Sequence, residues 1–268
     1  MCFRLITCEV FAREMGAAIG RSPHEVHMEM LSKGLHEIPC FQMRDRIQEV
    51  IDRGDESGYD AVLLGYGLCS NGLSGIVART IPVVLPRAHD CITLLLGSKE
   101  RYLDYFHSHP GTYFKSSGWI EHEKNSEELN QLSIARQSGM DASYEELVEK
   151  YGEDNARYLY EELCEHTRNY GRFTFIEMGI EPDDRFERQT REEADRRGWK
   201  FEKVKGDLSL IQRMLDGDWG DEDFLVVPPG SAIAPKHDEQ IVTAEKISPQ
   251  TDGGAPRSCR GIETGIDG

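Results

Sequence analysis

Two short stretches constrain the fold more than anything else in this chain: AVLLG at residues 61–65 and IPVVL at 81–85. A strand with one wet face alternates apolar and polar residues. An unbroken apolar run is what a strand covered on both faces needs, as in the centre of a parallel sheet. FRLIT (3–7), EVHMEML (25–31, with period two), FTFIEMG (173–179), WKFEKV (199–204) and FLVVP (224–228) read as further strands. Between the strands, helices are predicted from about residues 9 to 19, 41 to 53, 91 to 106, 183 to 197 and 208 to 215, the second with Ile47, Val50 and Ile51 on one face. Seven strands interleaved with helices predict an α/β fold of mostly parallel, Rossmann-like sheets with right-handed crossovers.

The alternation breaks once. GTYFKSSGWIE (111–121) reads as an extended loop or short hairpin, and a highly charged helical stretch follows it. The expected organisation is therefore two half-domains, residues 1–110 and 171–246, separated by a loop and helical insertion at 111–170. Residues 247–268 have the composition of a disordered tail. The glycines and aromatics of 111–121 suit a lid, with Tyr113 and Trp119 facing a site.

Composition narrows the partners. A net charge of −17 over 268 residues argues against nucleic acid, because phosphate binding needs a positive field. No apolar run reaches the roughly 20 residues of a bilayer span, and the apolar part of MCFRLITCEVFARE is too short for a signal peptide. The expectation is a cytoplasmic protein with a small-molecule substrate. Seven cysteines in that compartment are expected to be core residues, metal ligands or nucleophiles rather than disulfides.

Open parallel sheets bind ligands beyond the carboxyl ends of their strands. Cys8 ends the first apolar run, Cys69 follows AVLLG within GYGLCSNG, and His89 and Cys91 follow IPVVLPR. Neighbouring strands lie about 5 Å apart, so Cys8, Cys69, His89 and Cys91 are expected to converge. Three thiolates and an imidazole suit zinc or an iron–sulfur cluster with one histidine ligand. The C-x-x-C spacing of many structural zinc sites is absent, so the fold has to assemble this site. Arg87 and Asp90, which bracket His89, and Glu9 and Arg13, which follow Cys8, are the candidate catalytic or anion-binding groups. Tyr66, Asn71, Tyr113 and Trp119 are the candidates to contact a cofactor.

Each of these residues also has a plainer reading. A cysteine is a good small core residue, Arg13 belongs on a solvated helix face, and the aromatics pin a loop. A metal-free alternative makes Cys91 a nucleophile activated by His89 at a helix start. Cys2, Cys40 and Cys164 have no informative placement, and Cys259 falls in the tail. No P-loop, dinucleotide fingerprint, nucleophile elbow or HExxH occurs.

CEVFARE (8–14), LLGYGLCSNGL (63–73), PRAHDCITLLLGSKERY (86–102), HPGTYFKSSGWIE (109–121) and FLVVPPG (224–230) resemble the bacterial and archaeal domain-of-unknown-function family 1638 over residues 3–240. The resemblance implies a link to corrinoid-dependent methyltransferases and to one-carbon metabolism. Zinc enzymes that methylate thiols from methylcorrinoids are similar in carrying a His-x-Cys pair and a further Cys, which His89, Cys91 and Cys69 match, although Cys69 here precedes the pair. The corrinoid motif DxHxxG is absent, so a corrinoid is expected only from a partner protein. The expected function is a metal-dependent enzyme, a zinc-dependent transferase for thiol or methyl-group chemistry. The alternative is a non-catalytic metal or corrinoid carrier, sensor or chaperone of a methyltransferase system.

Overall fold

The computed structural model describes residues 1–123, 126–135, 144–153, 155–158 and 170–247. The chain opens with β1 (Cys2–Cys8), a 3-10 turn at Glu9–Phe11 and α1 (Ala12–Ile19). β2 (Glu25–Leu31), a 3-10 turn at Lys33–His36, α2 (Cys40–Arg53), β3 (Ala61–Gly65) and β4 (Val83–Pro86) follow. Every residue of β3 and β4 is buried, as the two unbroken apolar runs require. Each such Val, Leu or Ile contributes about 1.5–3 kcal/mol relative to exposure.

These strands pair in parallel in the order β2-β1-β3-β4, with Thr7 opposite Gly65 and Leu63 opposite Val84. The chain leaves β1 to one side to form β2 and returns to the other side for β3. That reversal opens a crevice beyond the carboxyl ends of β1 and β3, where ligands bind in open α/β sheets.

After β4 come α3 (Cys91–Leu96) and α4 (Lys99–Ser108). The single helix expected over 91–106 is two, because Gly97 turns the chain at φ 82° and the Ser98 hydroxyl accepts from Arg101 N at 3.1 Å to cap a new helix. The segment expected to be a lid loop is regular structure: β5 (Thr112–Lys115) and α5 (Ser117–Glu121). β5 pairs in parallel with β6 (Arg172–Glu177), which pairs in parallel with β7 (Lys200–Lys205). The second sheet therefore begins inside the expected insertion. Within that insertion, Glu127–Leu132 and Tyr144–Tyr151 are helical. Residues 136–143 and 159–169, with Cys164, lie outside the described residues, as does the expected tail from 248 onward with Cys259.

A long helix, Arg185–Arg197, joins β6 to β7, and a short one, Ser209–Leu215, packs against α1. β8 (Phe224–Val227) was expected in the second sheet. It lies instead at the edge of the first, antiparallel to β4, with Val83 opposite Val227. An apolar run specifies burial but neither partner nor direction. A hairpin of β9 (Ser231–Pro235) and β10 (Val242–Lys246) completes the described chain. The molecule is thus a mixed α/β protein with mostly parallel sheets. Among the described residues, no helix is long and apolar enough to cross a membrane.

Candidate metal centre

Three cysteines come together at the carboxyl ends of β1, β3 and β4. Cys8 closes β1 and leads into the 3-10 turn, whose Val10 N–H points at the sulfur. Cys69 is carried by the loop after β3, which is sewn to the loop after β4: Leu68 N donates to Ala88 O at 2.7 Å and Cys69 N to His89 O at 2.9 Å. The approach depends on Gly67, since a Cβ there would stand 2.7 Å from the Asp90 backbone. Within GYGLCSNG the positive φ angles fall on Cys69, Ser70 and Asn71, at 48°, 54° and 67°, rather than on Gly67 or Gly72. A left-handed conformation costs a non-glycine residue about 1–2 kcal/mol, so the backbone presenting Cys69 is strained. Strain of this kind gathers at functional sites. Cys91 begins α3, where the Asp90 side chain caps the helix by accepting from Ile92 N at 3.0 Å.

The thiols sense one another. Burial pushes Cys8 up to about 12, against the pull of the Val10 N–H. Burial also raises Cys69, with Cys8 and Asp90 adding repulsion. Cys91 rises for the same reason, with Asp90, Cys69 and Cys8 contributing and the Trp119 indole opposing. That indole donates Nε1–H to Cys91 Sγ at 3.3 Å. The cationic Lys33 also favours the Cys8 thiolate, and its Nζ lies 4.9 Å from the Trp119 ring centroid. Two further polar atoms in this region are sealed from water without a hydrogen-bond partner, Tyr66 Oη and His36 Nε2. Burial and then the Cys8 and Cys69 charges raise the Tyr66 phenol.

A cavity of about 810 Å³ opens beside the cysteines, between the two sheets. Cys69, His89, Asp90 and Cys91 line it from the loops after β3 and β4, with Tyr113 from β5 and Trp119 from α5. Tyr113 and Trp119, expected in a lid loop, line this cavity from a strand and a helix. Asn71 sits exposed at the rim, whereas Tyr66 is buried behind it. Asp90 accepts from Tyr102 Oη at 3.1 Å, and burial raises its carboxyl.

The other candidates have different work. Arg87 is buried and donates to the carbonyls of Asp221, Phe224, Gln240 and Val242, bracing β8 and the hairpin away from the cavity. Arg13 makes a two-pronged pair with Glu121 of α5. Glu9 accepts from Ser32 Oγ and Lys33 N at 3.0 and 2.8 Å. These three groups hold elements together and do not line the cavity.

The residues fit a soft metal ion in chemistry and burial: three thiols, imidazoles at hand, and unpartnered polar atoms around them. Their distances are looser. Among the described residues, the trio with ligand atoms within 4.8 Å of one another is Cys2, Glu25 and His27, at the opposite end of β1. To share one ion, these cysteines would have to draw together by side-chain rotation.

Fold and site define an α/β protein with a cysteine-rich cavity at the switch point of a parallel sheet. The family model described as "Protein of unknown function (DUF1638)" matches residues 30–215, and the chain belongs to that family. The matched range takes in His36, Cys69, His89, Cys91 and Trp119 and starts after Cys8. No curated protein and no solved structure matches the chain. Sequence reasoning missed His36 and Lys33, which sit in a short turn with no motif around them.

Proposed function

We propose that this protein is a metal-dependent enzyme that acts on a small molecule in the cavity between its halves. Cys8, Cys69 and Cys91 hold the ion together with a histidine of the cavity wall, His89 in the reading from sequence. Zinc is the first choice, with an iron–sulfur cluster as the other occupant that thiolates and imidazole suit. The observation that carries this reading is the meeting of three cysteines from three parallel strand ends among unpartnered buried polar atoms.

A metal-free Cys91 is a poor nucleophile, because burial keeps its thiol protonated at neutral pH. A bound zinc ion would supply Lewis acidity and hold thiolates at that pH. Around it, the Trp119 N–H quiets charge on the Cys91 sulfur, and Tyr102 orients Asp90 toward the cavity. Tyr113, Phe114 and Trp119 supply an apolar wall that excludes water from one side of a bound substrate. The assignment to thiol or methyl-group transfer in one-carbon metabolism, with a corrinoid protein or methyltransferase as partner, rests on the family resemblance.

Elemental analysis of anaerobically purified protein tests the reading. About one equivalent of zinc or iron per chain is expected, falling below about a tenth in Cys69→Ser. Wild-type protein with no transition metal, and a Cys69→Ser variant identical to it, would overturn the proposal. Cobalt-substituted protein whose visible bands ignore added thiols would identify a closed centre, and with it a carrier or sensor rather than an enzyme.

A further inference from the structure

The cavity wall holds a second histidine, built unlike the first. His36 ends the 3-10 turn Lys33–His36, whose first N–H groups are held by Ser32, with Gly34 N donating to Ser32 Oγ at 3.3 Å. That turn is tied to the cysteine side by Glu9, next to Cys8, which accepts from Ser32 Oγ and Lys33 N. The imidazole leans on Tyr66 and Trp119, with ring centroids 6.1 and 6.2 Å away. The same indole donates to the Cys91 sulfur, so the His36 ring and that thiol share one neighbour.

His36 Nε2 is sealed from water and has no hydrogen-bond partner. An orphaned buried polar atom costs about 1–3 kcal/mol, and an imidazole nitrogen is also the commonest metal ligand. His89 is placed differently. Its side chain is exposed at the boundary between the main cavity and a second one of about 430 Å³. Its contribution to the fold is the backbone carbonyl that receives Cys69 N.

We infer that His36, through Nε2, is the imidazole ligand that joins Cys8, Cys69 and Cys91, and that His89 lies outside the coordination sphere. This assignment rests on the metal-centre reading above. Glu9 then acts as a positioning residue that holds the His36 turn against the end of β1.

Cobalt(II) titrated into metal-stripped full-length protein separates the two histidines. His36→Gln is expected to weaken binding at least about tenfold and to move the visible bands. His89→Gln should leave affinity and bands at wild-type values. His36→Cys, which replaces one donor by another, should restore binding with added sulfur-to-cobalt charge-transfer absorption. It also decides the matter if His36→Gln does not fold. Wild-type affinity and bands in His36→Gln, or no added charge-transfer absorption in His36→Cys, would overturn the ligand assignment and leave the cysteine centre standing. Wild-type protein that takes up no cobalt would remove the centre itself, and His36 with it.

Discussion

β1 carries a cysteine at each end, and the two ends satisfy opposite halves of what a metal site needs. At the amino end, Cys2, Glu25 and His27 hold ligand atoms within 4.8 Å of one another. His27 hydrogen-bonds the Tyr59 hydroxyl through Nδ1 at 2.7 Å and Glu25 through Nε2 at 2.9 Å. Yet Glu25 and His27 are exposed, and none of the three carries a buried polar atom without a partner. At the carboxyl end, Cys8 meets Cys69 and Cys91 among thiols pushed up by burial and polar atoms without partners, but at looser spacing. A side-chain torsion some 30° off its rotamer costs roughly 0.5–1.5 kcal/mol, and each unpartnered buried polar group costs about 1–3 kcal/mol. Unmet solvation therefore marks a site better than proximity does.

The sharpest way to break this comparison is to remove a thiol from each end. Cys69→Ser is expected to abolish stoichiometric metal, while Cys2→Ser and His27→Gln leave content unchanged by elemental analysis. Retention in Cys69→Ser with loss in Cys2→Ser would reverse the argument.

Glu14 separates unmet solvation near thiols from unmet solvation elsewhere. It is fully buried with both carboxyl oxygens unpartnered, and its charged neighbours are Glu181, Arg13 and Glu121. Burial pushes this carboxyl up to about 7. An unfolded glutamate titrates near about 4.3. Between those values the native state keeps a proton that the unfolded state has released, so stability falls as pH rises through the window, by up to about 4 kcal/mol. Glu14→Gln should remove that slope and raise Tm at pH 8 without altering metal content. An unchanged pH profile of Tm would show that the carboxyl finds solvent.

Smaller effects follow around the cavity. Trp119→Phe keeps the ring and removes the N–H from the Cys91 sulfur, so metal affinity in a competition titration should fall about tenfold. A wild-type value would mean that the indole serves packing alone. Arg13→Ala breaks a half-exposed pair with Glu121, and a loss of less than about 1 kcal/mol is expected in a denaturant melt. A larger loss would give that pair a part in joining the halves beyond its exposure.

Much of the first sheet was legible, because AVLLG and IPVVL can satisfy their backbones and side chains together only as covered strands. Parallel direction then sends their carboxyl ends, and the cysteines just beyond them, to one edge. FLVVP was legible as a strand and not as an edge strand, since its partner is chosen by the carbonyls that Arg87 braces far along the chain. The strand TYFK was hidden by flanking glycines and serines that imitate a loop. His36 was illegible for a different reason: its placement comes from Tyr66 and Trp119, neither near it in sequence.

Gly118 lies against the Val10 carbonyl so closely that no Cβ fits between them. α5 follows the strand β5 of the second sheet, yet it presses on the backbone that leaves Cys8 and reaches past it to the Cys91 sulfur. The two halves therefore share a fulcrum at the cysteines. A ligand large enough to pry α5 outward would also withdraw the indole hydrogen bond from the Cys91 sulfur. Linkage would make that exchange reciprocal, so a ligand on the sulfurs would bias how closely α5 stays seated beside the cavity.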